Sequence, residues 1–272
     1  MSTKKKGVTL TFGDVSENFA GMAKQGKLHD SGFSYEDLER IANMFPENAE
    51  MYDLRGLLDN HANVDLPECY ILILRNPFPD LVEPLADIML VDEEKFDENN
   101  NLIGVEWDKC KVQYRKVVNS HARYNLCFSD LGNSDSYKCP ADYSNLGNAK
   151  GTVYNINSIE PLKLLHAEVM KMGVGDLEIE GNFYFDLEKT YIGFHGDRER
   201  KKVIGYRLGD VFPLHFRWHH NATPISEHAT VLLNPGDMYF MMEFTAGFSK
   251  MKKTGISIKH AAGYPDIIFR EK

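Results

Sequence analysis

Closely spaced turn signals divide the C-terminal half of this chain into short segments with the length and composition of β-strands. These segments lie near residues 177–185, 191–195, 202–208, 212–218, 228–233, 237–242, 256–261 and 266–270. The turn Asn234-Pro-Gly236 has proline and glycine where a type II turn prefers them. So many short strands that close on themselves predict a double-stranded β-helix, or jelly roll.

The N-terminal half mixes predicted helices with predicted strands, so the expected fold class is α+β. Residues 8–12 alternate as a strand does, and a capping box at Ser34 begins a helix that runs through about Phe45. A second helix is expected around 49–59, a buried strand at 69–75 and a third helix at 81–90.

The acidic, Asn-rich stretch 92–101 is the first expected linker. We therefore predict an N-terminal α+β extension over residues 1–105 and a jelly-roll domain with flanking helices over residues 106–272. A chain of 272 residues with 43% hydrophobic content can bury a core large enough for this arrangement.

Two histidines and one aspartate stand in the order and rough spacing of a facial iron site. His195 and Asp197, at the end of a predicted strand, direct two ligands to a common point, and His260 on a distant strand completes the set. Three protein donors leave three coordination positions open on the metal. Because a catalytic metal needs open positions, we predict that His195, Asp197 and His260 are both metal ligands and catalytic residues.

The histidines around His215 and His219 form an alternative metal site, since both side chains would lie on one face of a strand. No cysteine or acidic residue stands at ligand spacing beside them. The pattern therefore favours an ordinary strand over a second metal site.

The surroundings of the predicted iron site resemble a known enzyme family. In chain order the matching residues are Asn182, Tyr184, His195, Asp197, the turn Gly236-Asp237 and His260. This succession, over roughly residues 155–272, resembles the AlkB-like branch of the Fe(II)/2-oxoglutarate-dependent dioxygenases. The resemblance implies an oxidoreductase that uses Fe(II), the cosubstrate 2-oxoglutarate and dioxygen.

The same resemblance implies that Asn182 and Tyr184 contact 2-oxoglutarate. The distal carboxylate of that cosubstrate also needs a cation, and a planar guanidinium can donate two parallel hydrogen bonds to it. Arg270, on the last predicted strand, is the first candidate. Arg207, on the strand after His195, is the second.

Charge is unevenly distributed along the chain. The net charge is −9, yet residues 195–272 hold twelve Lys and Arg against eight Asp and Glu. The acidic total argues against a general nucleic-acid binder. The basic C-terminal part favours either a solvated charged face or the attraction of an acidic substrate toward the metal.

The resemblance implies hydroxylation or oxidative demethylation of a C–H bond on a nucleic-acid base, taken from a single strand or flipped out of the stack. The expected substrate contacts are basic and aromatic residues near the site: His121, Arg123, Tyr124, Arg198 and Arg200. Two alternatives stay open. One is hydroxylation of a protein side chain or an amino acid, and the other is a cupin-like binding module without turnover.

The cysteines and the hydropathy pattern indicate a cellular compartment. Four cysteines show no C-x-x-C spacing, which is typical of reduced thiols in a cytosolic-type compartment. No window approaches eighteen consecutive apolar residues, and the basic start of the chain lacks an apolar signal core. We expect a cytoplasmic or intracellular protein with no membrane partner, and no pattern indicates an oligomeric state.

Overall fold

The described residues form three layers: a layer of helices, a nine-stranded sheet and a four-stranded sheet. The computed structural model describes residues 4–58, 66–132, 136–249 and 255–269. Strands in antiparallel sheets predominate and helices are few, which confirms the α+β class. The pair between β10 and β12 is the one parallel pair among the described sheet strands.

The large sheet contains strands from both halves of the chain. In spatial order it consists of β11 Lys138–Cys139, β12 Val153–Asn155, β10 Tyr124–Ser129, β13 Glu178–Tyr184, β1 Gly7–Gly13, β15 Val203–Gly209, β18 Met238–Met241, β5 Tyr70–Leu74 and β4 Ala49–Asp53.

The small sheet and three separate hairpins complete the strands. The small sheet contains β14 Ile192–His195, β19 Ile256–Ala262, β16 Phe212–His220 and β17 Thr223–Leu233, in that order. The hairpins are β2 Val15–Glu17 with β3 Lys24–Gly26, β6 Lys95–Phe96 with β7 Leu102–Gly104, and β8 Cys110–Gln113 with β9 Lys116–Asn119.

Helices cover one face of the large sheet. They are α1 Tyr35–Met44, α2 Pro79–Met89 and α3 Glu160–Lys171, with the shorter α4 Glu243–Ala246 and α5 Pro265–Ile268 elsewhere. Two 3₁₀ turns, Leu54–Leu58 and Ile156–Ser158, complete the helical elements. The capping box predicted at Ser34 is confirmed, because its hydroxyl accepts from the Asp37 N–H and the Asp37 carboxylate accepts from the Ser34 N–H.

Strand β1 explains how the layers are joined. Its apolar residues, Val8, Leu10 and Phe12, belong to the core beneath the helices. Its alternating threonines, Thr9 and Thr11, point to the opposite face and line a cavity between the sheets. The period of two in a strand therefore assigns one face of β1 to packing and the other to a polar site.

A second apolar core fills the space between the two sheets. It includes Ile73 and Met241 from the large sheet and Phe216, Trp218 and Ile258 from the small one. At one end of this interface polar side chains replace the apolar ones, and the cavity opens there.

Two predicted elements are wrong. The helix expected around 49–59 is strand β4 followed by a 3₁₀ turn, with residues 59–65 outside the described part, because Ala49–Asp53 pairs in register with β5. The strand expected at 266–270 is helix α5, which begins at Pro265, and residue 270 lies outside the described part. Proline favours the first helical position and cannot donate a ladder hydrogen bond.

The predicted domain boundary at residue 105 falls between strands that share the large sheet. Strand β1 pairs along its length with β13 on one side and β15 on the other. Residues 1–105 thus contribute an interior strand to the same sheet that contains β13, β15 and β18 of the C-terminal half.

A fragment of residues 106–272 is expected not to fold. Without β1 and β5, strands β13, β15 and β18 lose partners and expose unpaired N–H and C=O groups. Circular dichroism during urea unfolding should give a cooperative transition for the full chain and none for the fragment. A cooperative transition in the fragment would instead support an independent domain after residue 105.

Candidate metal centre

The three predicted ligands converge at one end of the small sheet. His195 ends β14 and lies opposite His260 on β19 in the strand register. The Asp197 Oδ1 lies 3.4 Å from the His195 Nε2 and 3.7 Å from the His260 Nε2. One donor atom from each residue lies within 4.8 Å of the other two. Two imidazole nitrogens and one carboxylate oxygen form the donor set of a facial iron site.

Local backbone contacts orient these side chains. The His195 Nδ1 lies 2.8 Å from the Gly193 carbonyl oxygen, which fits a donating Nδ1–H and leaves Nε2 free to bind a metal. The Asp197 N–H donates to the Ala246 carbonyl at 2.9 Å. A Cβ at Gly196 would lie 2.5 Å from the Gly247 oxygen, so close backbone approach requires glycine between the two ligands.

The protonation states suit metal binding. Burial raises the pKa of Asp197, but the adjacent His195 and His260 imidazoles and the Arg200 guanidinium outweigh burial and hold that pKa below its ordinary value. Burial, with a smaller contribution from the neighbouring His195, lowers the pKa of His260 to about 3. A carboxylate and a neutral imidazole are the forms that ligate a cation.

A buried ion-pair network holds the outer side of Asp197. The Arg200 Nε lies 3.7 Å from the Asp197 Oδ2, and its Nη2 donates to Glu180 and to Glu199. Arg200 is 3% exposed. Asn125 donates to Glu180 at 3.0 Å, so the same network reaches the large sheet. Sequence reasoning missed Glu180, since an acidic residue in an alternating strand carries no signal of its partner.

Asn182 connects this network to the substrate candidates. Its Nδ2 donates to Glu180 at 3.0 Å, and its Oδ1 accepts from the Arg123 Nε at 2.5 Å and from Asn125 at 3.1 Å. Asn182 and Arg123 both line the cavity. Besides this bond to Asn182, the Arg123 guanidinium lies 6.0 Å from the centre of the Phe19 ring, which also lines the cavity.

The cavity has a volume of about 640 Å³, within the size range of ligand pockets. The three metal-ligand candidates lie in its wall together with Thr9, Thr11, Tyr184 and Tyr239. The N-terminal segment 17–22 and residues 147–148 also line it, a contribution that sequence reasoning missed. The alternating threonines of β1 were the one local signal that could have revealed it.

Arg207 is a fully buried cation that does not itself line the cavity but contacts Thr9, which does. Its Nη1 donates to the Thr9 hydroxyl, while Nε and Nη2 have no hydrogen-bond partner among the described residues. Burial lowers its pKa, and its electrostatic neighbours Tyr184 and Tyr239 line the cavity. The guanidinium lies 5.0 Å from the centre of the Phe212 ring, and its two nitrogens without hydrogen bonds carry a desolvation cost that an anion would offset.

The remaining predicted substrate residues divide into two groups. Arg123 and Arg198 line the cavity, and Arg200 lines it while being engaged with carboxylates. His121 is exposed and Tyr124 stacks on Phe185 at 4.3 Å; neither is among the residues lining the cavity. Arg270, the first candidate for binding the cosubstrate, lies outside the described residues.

The rival histidines make other contacts. The two ring nitrogens of His215 lie 2.8 Å from the Thr230 hydroxyl and 2.8 Å from the Gly263 carbonyl. His219 packs against Phe194, and its Nδ1 lies 3.0 Å from the Arg217 carbonyl. In the described ranges, the group at His195, Asp197 and His260 is the one with metal-ligand spacing.

Comparison with known proteins places the chain in a family. No protein family model matches it. An uncharacterized protein of Acanthamoeba polyphaga mimivirus, R156, is 34% identical over 267 residues, which are 97% of this chain and 98% of the viral protein. The chain belongs to the family of this viral protein. Because the match spans almost all of both chains, the similarity includes the N-terminal strands as well as the metal-centre half. Within the described residues, no helix is long and apolar enough to span a membrane.

Replacing Asp197 by Ala is expected to lower the affinity for a divalent cation by more than about tenfold, because it removes the one anionic donor of the set. Titration with Co(II), followed by visible absorption, measures this affinity. His228→Ala is the matched control, since His228 is exposed on β17 outside the cavity. Equal affinities of the Asp197→Ala variant and the unaltered protein would contradict a metal centre here.

Proposed function

We propose that this protein is an Fe(II)- and 2-oxoglutarate-dependent dioxygenase of the AlkB-like type. The convergence of the His195, Asp197 and His260 donor atoms at the wall of a ligand-sized cavity carries the proposal. The donor set fits iron better than a structural zinc ion, because it contains no thiolate and supplies three ligands instead of four.

The strand order supports a jelly roll as the scaffold. Strands β13 to β19 are divided between two facing sheets, with β13, β15 and β18 in the large sheet and β14, β16, β17 and β19 in the small one. Strand β1 fills the remaining place between β13 and β15. Two faces of four strands make the eight strands of a jelly roll, in which the N-terminal strand takes one central position.

In this proposal the chain holds and orients the reactants. Iron held by His195, Asp197 and His260 would supply, with dioxygen, the decarboxylation of 2-oxoglutarate to succinate and the hydroxylation of a substrate C–H bond. The Gly193 carbonyl fixes the His195 ring, and Arg200 holds the outer oxygen of Asp197. Val203, Leu214 and Ala262 of the core between the sheets also line the cavity and would exclude water there.

Arg207 is the better supported partner for the distal carboxylate of 2-oxoglutarate. Its Nε and Nη2 are buried without partners among the described residues, as a guanidinium awaiting a carboxylate would be. Tyr184 and Asn182, which the family resemblance assigns to the cosubstrate, line the adjoining cavity. The role of Arg270 stays a prediction.

Replacing Arg207 by Met is expected to weaken 2-oxoglutarate binding by more than about tenfold, since it removes a charge-assisted pair of hydrogen bonds. The melting temperature without ligand should not fall, because an unpaired buried charge gives way to an apolar side chain of similar length. Isothermal titration calorimetry of the Co(II)-loaded protein measures the affinity.

Arg217→Met is the control for this substitution, because Arg217 donates to the Ser226 carbonyl within the small sheet, whereas Arg207 donates to Thr9 in the cavity wall. Unchanged 2-oxoglutarate affinity in the Arg207→Met variant would mean that another cation binds the distal carboxylate.

We propose a nucleic-acid base as the substrate. Phe19, Arg123 and Arg198 line the cavity and supply an aromatic ring and two guanidinium groups, a combination that suits a planar base with its phosphate. A second candidate is a protein side chain or amino acid, favoured by Glu17. That carboxylate is buried at the cavity wall, and its one hydrogen bond among the described residues comes from the Gly21 N–H.

Succinate formation is expected when the protein is incubated with Fe(II), ascorbate, 2-oxoglutarate and a methylated single-stranded oligonucleotide. The His195→Ala variant should form none, because it lacks one of the three metal donors. Mass spectrometry of nucleosides, and of peptides in a parallel incubation, identifies the product. Oxidised peptides without oxidised nucleosides would favour the second candidate, whereas no turnover on either would favour a non-catalytic binding module.

A further inference from the structure

Two consecutive hairpins carry opposite charges. The acidic hairpin, residues 92–104 with strands β6 and β7, contains five Asp and Glu and one Lys. The basic hairpin, residues 109–119 with strands β8 and β9, contains four Lys and Arg and no Asp or Glu. Among the described strands, the two strands of each hairpin pair only with each other. One continuous segment of the chain therefore presents both signs of charge in two separate hairpins.

A salt bridge joins the bases of these hairpins. The Lys109 ammonium lies 3.1 Å from the Asp92 carboxylate, which also accepts from the Trp107 N–H at 3.2 Å. Trp107 is buried, and its indole N–H donates to the Met89 carbonyl at 3.0 Å. The two bases are thus fixed to each other and to the core, so the hairpins present neighbouring surfaces.

The outer ends of both hairpins carry charges that nothing in the described part of the chain neutralises. Asp97 and Glu98 lie in the acidic hairpin, and the hydrogen bonds to the Asp97 carboxylate come from amides of its own loop. Arg115 and Lys116 lie in the basic hairpin and are exposed. None of these four has an oppositely charged side chain within ion-pair distance among the described residues. Two anions and two cations are therefore available to a partner.

The same segment concentrates exposed apolar side chains. Among the described residues twelve large apolar side chains are exposed, and five of them lie within residues 91–119. They are Val91, Phe96, Ile103, Tyr114 and Val117, with exposed fractions from 38% to 91%. Apolar side chains that cluster on a surface and are bordered by polar ones are typical of protein interaction sites. The composition of the segment therefore indicates an interface.

The tip of the basic hairpin adds a strained turn. Tyr114 is 91% exposed, and Tyr114 and Arg115 have φ angles of 52° and 56°, in the left-handed region. Bulky side chains are disfavoured there, and two-residue turns of this kind prefer Asn-Gly. Tyr and Arg are also among the residue types most enriched where a few side chains dominate the binding energy of an interface. The tip thus combines a local cost in stability with side chains suited to a protein partner.

We propose that two copies of this chain associate through these hairpins in a symmetric dimer, with the acidic hairpin of each copy against the basic hairpin of the other. A twofold axis brings the same surface of both copies together, so a surface that carries both signs of charge is complementary to itself. Asp97 and Glu98 of one copy face Arg115 and Lys116 of the other. Tyr114 packs against the exposed apolar side chains of the acidic hairpin, and each contact occurs twice.

A second copy accounts for both hairpins, whereas other partners account for one. An acidic ligand would use the cations and leave the acidic hairpin with its apolar side chains exposed, and a basic ligand would do the reverse. Together the hairpins supply a number of residues within the range of about 20–30 that each side of a stable interface contributes.

The dimer contact would adjoin the cavity wall of each copy. The Lys111 ammonium of the basic hairpin lies 6.0 Å from the centre of the Phe19 ring, which lines the cavity. The inference goes beyond the proposed function and does not depend on it, because none of the residues at the contact belongs to the metal centre.

The test is sedimentation velocity of the full chain without added metal or cosubstrate. At low salt and above about 10 μM the unaltered protein should sediment as a dimer, at twice the 31.0 kDa of the monomer, because interfaces of this size have dissociation constants from micromolar to picomolar. Raising the salt concentration should weaken the dimer, since exposed charges are screened.

Charge reversal in each hairpin tests the pairing. Arg115→Glu with Lys116→Glu, and separately Asp97→Asn with Glu98→Lys, should each give a monomer, because each sets like charges against each other. The Asp97→Asn change keeps an acceptor for the loop amides. An equimolar mixture of the two variants should form a mixed dimer, since every contact again joins opposite charges. Variants that had merely lost their fold would not recover in the mixture.

Tyr114→Asn separates packing from charge. Asn suits a left-handed turn, so the melting temperature should stay unchanged or rise. The dissociation constant of the dimer should increase by at least about tenfold, since each dimer loses the ring twice. A purely structural role for the tip predicts no change in that constant. Lys163→Glu with Lys171→Glu, two exposed cations on α3, is the matched control for the charge reversals and should leave the dimer intact.

Three results would overturn the inference: a monomer for the unaltered protein at these concentrations, a dimer that both charge-reversed variants retain, or a mixture of those variants that stays monomeric. An unaltered monomer that binds fluorescein-labelled poly-glutamate or poly-lysine would assign the hairpins to a foreign acidic or basic partner instead. The assay contains neither metal nor cosubstrate, so these results leave the dioxygenase proposal to the Co(II) and 2-oxoglutarate titrations.

Discussion

The hydrogen bonding of β1 to both β13 and β15 is the constraint on which the rest of the structure depends. β13 carries Asn182 and Tyr184, and β15 carries Arg207. Because β1 lies between the two strands, its residues Thr9 and Thr11 line the cavity together with Asn182 and Tyr184. Thr9 lies opposite both Asn182 and Arg207 in the strand register. The N-terminal strand is thus part of the candidate site, although it is far from the metal motif in sequence.

A polar network connects the two sheets where apolar packing ends. Asp197 follows the small sheet, Glu180 and Asn182 belong to the large one, and Arg200 joins them through buried ion pairs. Buried charges are costly unless they are paired and hydrogen-bonded. In this network the Glu180 carboxylate accepts hydrogen bonds from three side chains, which fix its position. Arg200, one of the three donors, also contacts the Asp197 carboxylate and so restricts the position of Asp197. The metal-centre geometry therefore depends on both sheets.

The substrate side is more open. Residues 17–22 and Arg123 border the cavity, and the basic β8–β9 hairpin continues from this border into solvent. Acidic and basic residues both line the cavity, among them Glu17, Glu199, Lys24 and Arg198. The positive charge that the sequence indicated for the C-terminal part is thus balanced at the cavity itself.

The sequence by itself determined the local features: the capping box at Ser34, most strands of the C-terminal half, and a His-x-Asp pair whose spacing puts two donors on the same side of a strand end. The sequence also predicted His260 as the third ligand, and the structure brings its Nε2 to 3.7 Å from Asp197. Only the tertiary structure decided that residues 49–53 form an edge strand and that β1 takes a central place. Strand periodicity is local, and it reveals which face a residue occupies. Pairing partners depend on hydrogen bonds and burial between segments far apart in the chain, which a single sequence does not encode as a readable pattern.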